Sequence, residues 1–188
     1  MGIWQERGLA IANSNTIKKN KLGWQVPSQS GNGRQGRGIF MYDIIYPQGG
    51  FVPRFEVIDH TADVGIIAYG SDLKEAFANS AYGMFSLIAD LEGVKEKVSR
   101  KVDVHSTDQE ALLVDWLNEL LYLFDVNHII FSRFEITDLS QTRLKAKVYG
   151  EKIDKSRHQL KTAVKAATYH MLKIERNKGV KVQFILDI

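Results

Sequence analysis

Residues 55–70 read FEVIDHTADVGIIAYG, in which two apolar runs flank a short polar interruption. Both runs, 55–59 and 64–70, are short and rich in β-branched and aromatic residues, a pattern that predicts two strands. The interruption, His60-Thr61-Ala62-Asp63, is expected to form the turn between them, at an edge of the sheet where side chains are held in fixed directions. The folded domain is therefore expected to begin at residue 55.

Two helices are predicted downstream, each after a capping-box signal. Asp72 with Glu75 precedes apolar residues at helical spacing that end near Ile88, and Thr107 with Glu110 precedes a second apolar stripe. The second stripe is the stronger helix prediction, and it contains Leu112, Leu113, Trp116, Leu117, Leu120, Leu121 and Phe124.

A third helix is predicted at 162–176. Four apolar residues recur there at helical spacing, and Asn-Lys-Gly follows at 177–179, where a glycine C-cap would lie. The four residues are Val164, Ala167, Met171 and Ile174.

Four more strands complete the predicted order. Segments 98–105, 129–137, 143–149 and 180–186 have the composition of strands, and the middle two are expected to pair as a hairpin. Leu144, Ala146 and Val148 would face the core. The order of elements predicts an α+β fold: a single two-layer domain with a mixed or antiparallel sheet and three helices.

Composition excludes several classes of protein. The chain has 188 residues, 44% hydrophobic and 25% charged, with no cysteine and no run of about 18 apolar residues that could span a bilayer. The lack of cysteine excludes disulfides, iron–sulfur clusters, cysteine zinc sites and thiol nucleophiles. The N-terminus does not resemble a signal peptide, so a cytoplasmic protein with no membrane partner is expected.

Residues 1–54 are expected to be a disordered leader before a domain at 55–188. They contain all three prolines and nine of the 15 glycines, and they carry a net charge of +5 against −2 for residues 55–188. Such a segment buries too little apolar surface to offset its ordering entropy. The favoured interpretation is an unstructured extension, or upstream sequence that would not be translated if the true start were Met41. The alternative is a basic arm that binds RNA with Arg34 and Arg37.

Three oxygen-bearing groups are candidate metal ligands. Asp63 lies in the first turn, while Asp187 and Ile188 end the last predicted strand, with the chain carboxylate immediately beyond. If the turn lay against that end, three anionic groups would meet, a situation resolved by a cation or by a shared proton. Oxygen ligands suit hard ions such as Mg²⁺, Ca²⁺ or Mn²⁺. From the sequence alone, the favoured role of Asp63 is to accept hydrogen bonds from local turn amides.

Familiar catalytic signatures are missing from the sequence. It has no glycine-rich phosphate loop with Lys-Ser/Thr, no Gly-x-Ser-x-Gly elbow and no His-Glu-x-x-His. The five histidines are too far apart in sequence for a local metal motif, although pairing through the fold stays open. A structural or surface role is the expectation for any one of them: His60, His105, His128, His158 and His170.

Three stretches together resemble the archease family: FEVIDHTADVGIIAYG, VKAATYHM at 164–171 and the terminal Asp187-Ile188. The resemblance covers essentially all of 55–188 and leaves the leader without a counterpart. It implies a small α+β accessory protein of the GTP-dependent tRNA-splicing RNA ligase, and a divalent cation, calcium with magnesium or manganese as alternatives, held by Asp63, Asp187 and oxygens of Ile188. It assigns no ligand role to four other motif residues, His60, Lys165, Tyr169 and His170.

The resemblance thus implies an activator that promotes ligase guanylylation and repeated turnover, contacts RNA through the ligase and is not itself an enzyme. Two other functions stay open. One is a stand-alone metal-dependent phosphoesterase, for which no general base or second metal shell can be assembled from the sequence. The other is an RNA-binding module that uses the basic leader, which the charge of −2 on residues 55–188 disfavours.

Overall fold

The computed structural model describes residues 43–45, 51–59 and 63–188. Within these residues there are two helices and nine strands, and every strand pairing is antiparallel. The elements are β1 (Asp43–Ile45), β2 (Phe51–Pro53), β3 (Phe55–Asp59), β4 (Val64–Gly70), α1 (Leu73–Ile88), β5 (Val98–His105), α2 (Gln109–Asn127), β6 (Ile129–Leu139), β7 (Arg143–Lys152), β8 (Ala166–Arg176) and β9 (Val180–Asp187). The predicted α+β class is confirmed, and its sheets are antiparallel.

The strands belong to three separate sheets. β1 pairs with β2, the four-stranded sheet has the order β3-β4-β9-β8, and the three-stranded sheet has the order β5-β7-β6. The predicted hairpin is the β6–β7 pair, and its three residues expected to face inward, Leu144, Ala146 and Val148, are buried. Alternation of side chains across a strand thus placed this apolar set correctly.

Both helices begin with an aspartate cap. The Asp72 carboxylate accepts a hydrogen bond from the Glu75 N–H at 2.8 Å, as the sequence predicts for α1. At α2 the predicted cap, Thr107, is wrong by one residue: the Asp108 carboxylate accepts from the N–H groups of Glu110 and Ala111, both at 2.9 Å. A carboxylate satisfies two amides there and complements the positive end of the helix, which one hydroxyl cannot do.

Segment 162–176 is not a helix, so the prediction of three helices is wrong. Ala166–Arg176 forms β8, which pairs with β9. The cause is a bulge: Thr168 pairs with Ile185 and Lys173 pairs with Gln183, so residues 169–172 lie opposite Phe184 alone. The extra residues break the two-residue alternation of the strand, and the apolar positions on either side of the bulge fall at a spacing that imitates a helix.

The Asn-Lys-Gly sequence at 177–179 is likewise a turn and not a helix cap. The N–H of Asn177 donates to the carbonyl of Gly179 at 3.0 Å, closing the β8–β9 hairpin. Gly179 has a φ of 155°, a conformation that glycine adopts readily. Gly179 therefore follows the end of an element, as predicted, but that element is a strand and not a helix.

The core lies where α1 and α2 pack against strands of both larger sheets. Aromatic residues fill much of it: Phe85 meets Phe131 edge to face at 5.6 Å, and Trp116 meets Phe134 in the same way at 6.5 Å. Burying each such side chain contributes about 2–3 kcal/mol to stability. The helices also contact the strands that carry the candidate site: α1 packs on β4 and β9, and α2 packs on β8.

Several predictions fall on residues outside the described part. Of the leader 1–54, only residues 43–45 and 51–54 are described, and His60, Thr61 and Ala62 of the first turn are not. The division into a leader and a domain stays a prediction. No helix in the described ranges is long and apolar enough to cross a membrane.

Candidate metal site at the end of the β4–β9 ladder

Asp63 and Asp187 lie at the same end of the central β4–β9 ladder. Val64 pairs with Leu186 as the last pair of this ladder, and Asp63 and Asp187 are the next residues along the two antiparallel segments. The register therefore places the first turn and the chain end, which carry the predicted ligands, at the same end of the sheet.

Strand β8 adds a third segment to this end of the sheet. Ala166 pairs with Asp187, and the N–H of Lys165 donates to the main-chain oxygen of Asp187 at 2.8 Å. The Lys165 ammonium donates to the main-chain oxygen of Ile188, also at 2.8 Å, and lies 3.8 Å from Asp187 Oδ1. Asp187 and Ile188 thus share one positive charge supplied by Lys165.

Comparison with known proteins adds the family. The profile of the Archease protein family (MTH1598/TM1083) matches residues 55–188. The chain belongs to the archease family. Protein archease of Sulfolobus acidocaldarius is 41% identical over 137 residues, which are 72% of this chain and 99% of that protein. Protein archease of Methanosarcina mazei is 40% identical over 140 residues, 72% of this chain and 96% of that protein.

A solved structure agrees with this assignment. The solution structure of protein 1598 of Methanobacterium thermoautotrophicum matches with a TM-score of 0.64 at 38% sequence identity, and the match covers 72% of this chain and 99% of that one. The resemblance drawn from the HTAD turn, the VKAATYHM stretch and the last two residues is therefore confirmed at the level of the family.

The candidate ligand atoms of this archease are all oxygens, the type of ligand that hard divalent cations prefer. Asp63 and Asp187 offer carboxylate oxygens and Ile188 offers a main-chain oxygen, the ligand type of Ca²⁺, Mg²⁺ and Mn²⁺. Across the described ranges, no three or more His, Cys, Asp and Glu side chains are arranged to hold a metal. An ion here would need the Ile188 oxygen and water to complete its shell, and the predicted ligand set stays a prediction.

Lys165 is the residue of this site whose role the sequence analysis missed. It stands in the VKAATYHM stretch, but the prediction of a helix at 162–176 gave no reason to place it beside the chain end. Its position follows from the pairing of β8 with β9, which is a contact between segments distant in sequence. The strand-forming residues Val164, Thr168 and Tyr169 in the same stretch were the available signal.

Tyr169 and His170 lie on the β8 bulge, further along the strand than Ala166, which pairs with Asp187. Both are exposed, with Tyr169 at 59% of its full surface, and the His170 N–H donates to the Thr168 hydroxyl at 3.3 Å. Partial burial and then the negative charges of Asp115 and Asp108 raise the pKa of the Tyr169 hydroxyl. The structure gives these two residues a surface position and no part in the candidate ligand set.

The most strongly perturbed carboxyl of the described residues is elsewhere, at Glu151 on β7. Its side chain is buried, yet its oxygens accept hydrogen bonds from Arg157 at 2.8 Å and from the Lys95 N–H at 2.9 Å. Lys97 and the His158 ring complete the cluster at 2.7 and 3.0 Å. The Arg157 hydrogen bond, ahead of the opposing effect of burial, holds the pKa of Glu151 well below its usual range.

This cluster is structural. The N–H of Asp154 donates to His158 Nδ1 at 3.0 Å, so Nε2 carries the ring proton and donates to Glu151. Every oxygen of the carboxylate is occupied by a protein donor, which ties the segment before β5 and the segment after β7 to one point. A fully satisfied group of this kind rigidifies two loops and leaves no position for a ligand.

Proposed function

We propose that this archease is a cytoplasmic accessory protein of the GTP-dependent tRNA-splicing RNA ligase, which promotes guanylylation of the ligase and its repeated turnover in tRNA splicing and RNA repair. The observation that carries the proposal is the family match over residues 55–188, which includes both the HTAD turn and the last two residues. The protein contacts RNA through the ligase and does not catalyse a reaction by itself.

Asp63, Asp187 and the Ile188 oxygen hold a divalent cation, calcium or else magnesium or manganese, in this proposal. The antiparallel register of β4 and β9 supports it, because it places Asp63 and Asp187 next to the last pair at the same end of the ladder. A bound divalent ion would supply positive charge that neutralises or orients phosphate oxygens during nucleotide transfer. The role of the chain is to present that charge to the ligase on a rigid sheet end.

The proposal is tested with the purified protein, the cognate ligase, GTP and a divalent salt. The variants Asp63→Asn and Asp187→Asn keep the side-chain shape and remove one negative charge each, and Asp138→Asn makes the same change at the end of β6 in the other sheet. We expect the first two variants to lose divalent affinity in calorimetry and stimulation of ligase guanylylation, and Asp138→Asn to keep both. Full stimulation by Asp63→Asn and Asp187→Asn would contradict a role for the carboxylates.

Assays without the ligase separate the other functions. Phosphodiester hydrolysis by the protein and a divalent ion alone would favour the stand-alone phosphoesterase. RNA binding that requires residues 1–54 would favour the RNA-binding module. We expect neither activity, and guanylylation to rise only when ligase, GTP and this protein are combined.

A further inference from the structure

We propose that the Lys165 ammonium is a built-in competitor of the divalent cation: it neutralises the Asp187–Ile188 end in the metal-free protein and is displaced when the ion binds. This inference rests on the proposed metal site and adds a determinant of its affinity. Lys165 thereby sets how tightly the ion is held.

The contacts of Lys165 place its charge where a cation is expected. Its ammonium is 2.8 Å from the Ile188 main-chain oxygen and 3.8 Å from Asp187 Oδ1. These are two of the three groups proposed as ligands. If an ion bound both oxygens while the ammonium stayed in its present position, two positive charges would be in contact. The ammonium must therefore move away when the ion binds.

The side chain of Lys165 is free to leave without disturbing the sheet. It is 66% exposed, and its four-carbon stem is flexible. The backbone is held independently, because the Lys165 N–H donates to the Asp187 main-chain oxygen at 2.8 Å. The ammonium can therefore swing into solvent while β8 and β9 keep their register.

Displacement makes the affinity for the ion depend on the charge at position 165. The Asp187 side chain is 51% exposed, so solvent screens its interaction with the ammonium and the expected effect is moderate. Removing the lysine charge should tighten divalent binding about three- to tenfold, since unit charges about 4 Å apart interact modestly at a wet surface.

The test is calorimetric titration of the full chain with Ca²⁺ and with Mn²⁺. Lys165→Met removes the charge and keeps most of the aliphatic stem, whereas Lys165→Arg keeps the charge. The control, Lys101→Met, makes the same charge change at an exposed position of β5. Melting temperatures with and without the ion provide a second readout, because an ion that binds only the folded state stabilises it by an amount that grows with the logarithm of the ratio of ion concentration to Kd.

We expect Lys165→Met to bind the ion more tightly, to melt lower than the unchanged protein without metal and to gain more on metal addition. Lys165→Arg should bind no tighter than the unchanged protein, and Lys101→Met should match it. Equal or weaker binding by Lys165→Met, when the unchanged protein binds, would overturn this inference and leave the metal site standing. Absence of binding in the unchanged protein and in Lys165→Met would overturn both proposals.

Discussion

The side-chain amide of Asn118 on α2 forms two hydrogen bonds with the backbone of Ala167 on β8. Its Oδ1 accepts from the Ala167 N–H at 2.8 Å, and its Nδ2 donates to the Ala167 carbonyl at 3.1 Å. β8 is an edge strand of the four-stranded sheet, and such strands offer unpaired N–H and carbonyl groups to other chains. Asn118 satisfies both groups at the start of β8, close to Lys165 and the candidate metal site.

We predict that Asn118→Ala lowers the free energy of unfolding by about 1–3 kcal/mol, because two backbone groups in a partly buried position lose their partner. Urea denaturation measures the change, and amide hydrogen exchange should show faster exchange at Ala167. Asn127→Ala is the matched control, since its side chain bonds only within α2, to the Leu123 carbonyl at 3.2 Å. Equal losses in both variants would mean that Asn118 does not hold the edge strand.

Replacing Met171 in the β8 bulge by glycine should preserve stability, whereas replacing it by a β-branched residue should lower stability. Its φ is 53°, in the left-handed region, which costs a residue other than glycine about 1–2 kcal/mol, and its side chain is half exposed. We predict that Met171→Gly leaves the free energy of unfolding unchanged or raises it by up to about 1 kcal/mol, because relief of strain offsets the greater freedom of glycine in the unfolded chain. Met171→Val should lower it by about 1 kcal/mol or more. A reversed order of the two variants in urea denaturation would show that the bulge is not strained there.

The same bulge explains why the sequence predicted two of the helices and most strands but failed at 162–176. Helix α1 has an N-cap and one uninterrupted helical repeat of apolar residues, and apolar residues alternate in β9 from Val180 to Leu186. Local sequence patterns were therefore enough to predict both elements. In β8 three surplus residues lie between Thr168 and Lys173, and apolar periodicity alone does not distinguish a strand with such a phase shift from a helix. What decides is the pairing with β9, which is a tertiary contact.

The candidate site shows a similar division. Asp63 and Asp187 could be named from the sequence because one ends a turn and the other ends a strand. Their location at the same end of the sheet needed only that β4 and β9 be paired antiparallel. The Lys165 ammonium could not be placed, because its contact with Ile188 depends on β8 lying beside β9. The buried partner of Glu151 was equally hidden, since His158 lies in a loop without a periodic pattern.

Gly150 on β7 is predicted to be irreplaceable. A Cβ atom there would lie 1.9 Å from the Ile130 carbonyl oxygen, a backbone atom of the neighbouring strand that cannot move aside. Gly150→Ala should lower the free energy of unfolding by about 3 kcal/mol, because the β6–β7 pairing must shift. Gly93→Ala is the control, since no atom lies within 4 Å of its added Cβ, and we expect a change within about 0.5 kcal/mol. Thermal or urea denaturation that ranked the two variants equally would contradict the close approach of these strands.

Glu151→Gln should destabilise the fold by about 2–4 kcal/mol at neutral pH, because it removes the anion that Arg157, Lys97 and His158 surround in the interior. The exposed pair of Glu96 and Arg133 offers a control, and Glu96→Gln should have a much smaller effect, since solvent replaces the lost interaction. Similar losses in the two variants would show that burial does not strengthen the Glu151 cluster.

The contribution of Glu151 should also depend on pH in one direction. The Arg157 hydrogen bond keeps the pKa of Glu151 in the folded protein below its value in the unfolded chain, which is about 4.3. The stabilisation is therefore fully present above about pH 5 and is lost as the pH falls toward the folded-state pKa, because the unfolded chain takes up a proton first. Urea denaturation of the unchanged protein and Glu151→Gln at pH 7, 5 and 3.5 measures this. We expect the difference in free energy of unfolding to be equal at pH 7 and 5 and smaller at pH 3.5, whereas a constant difference at all three would show that Glu151 has the same pKa in both states.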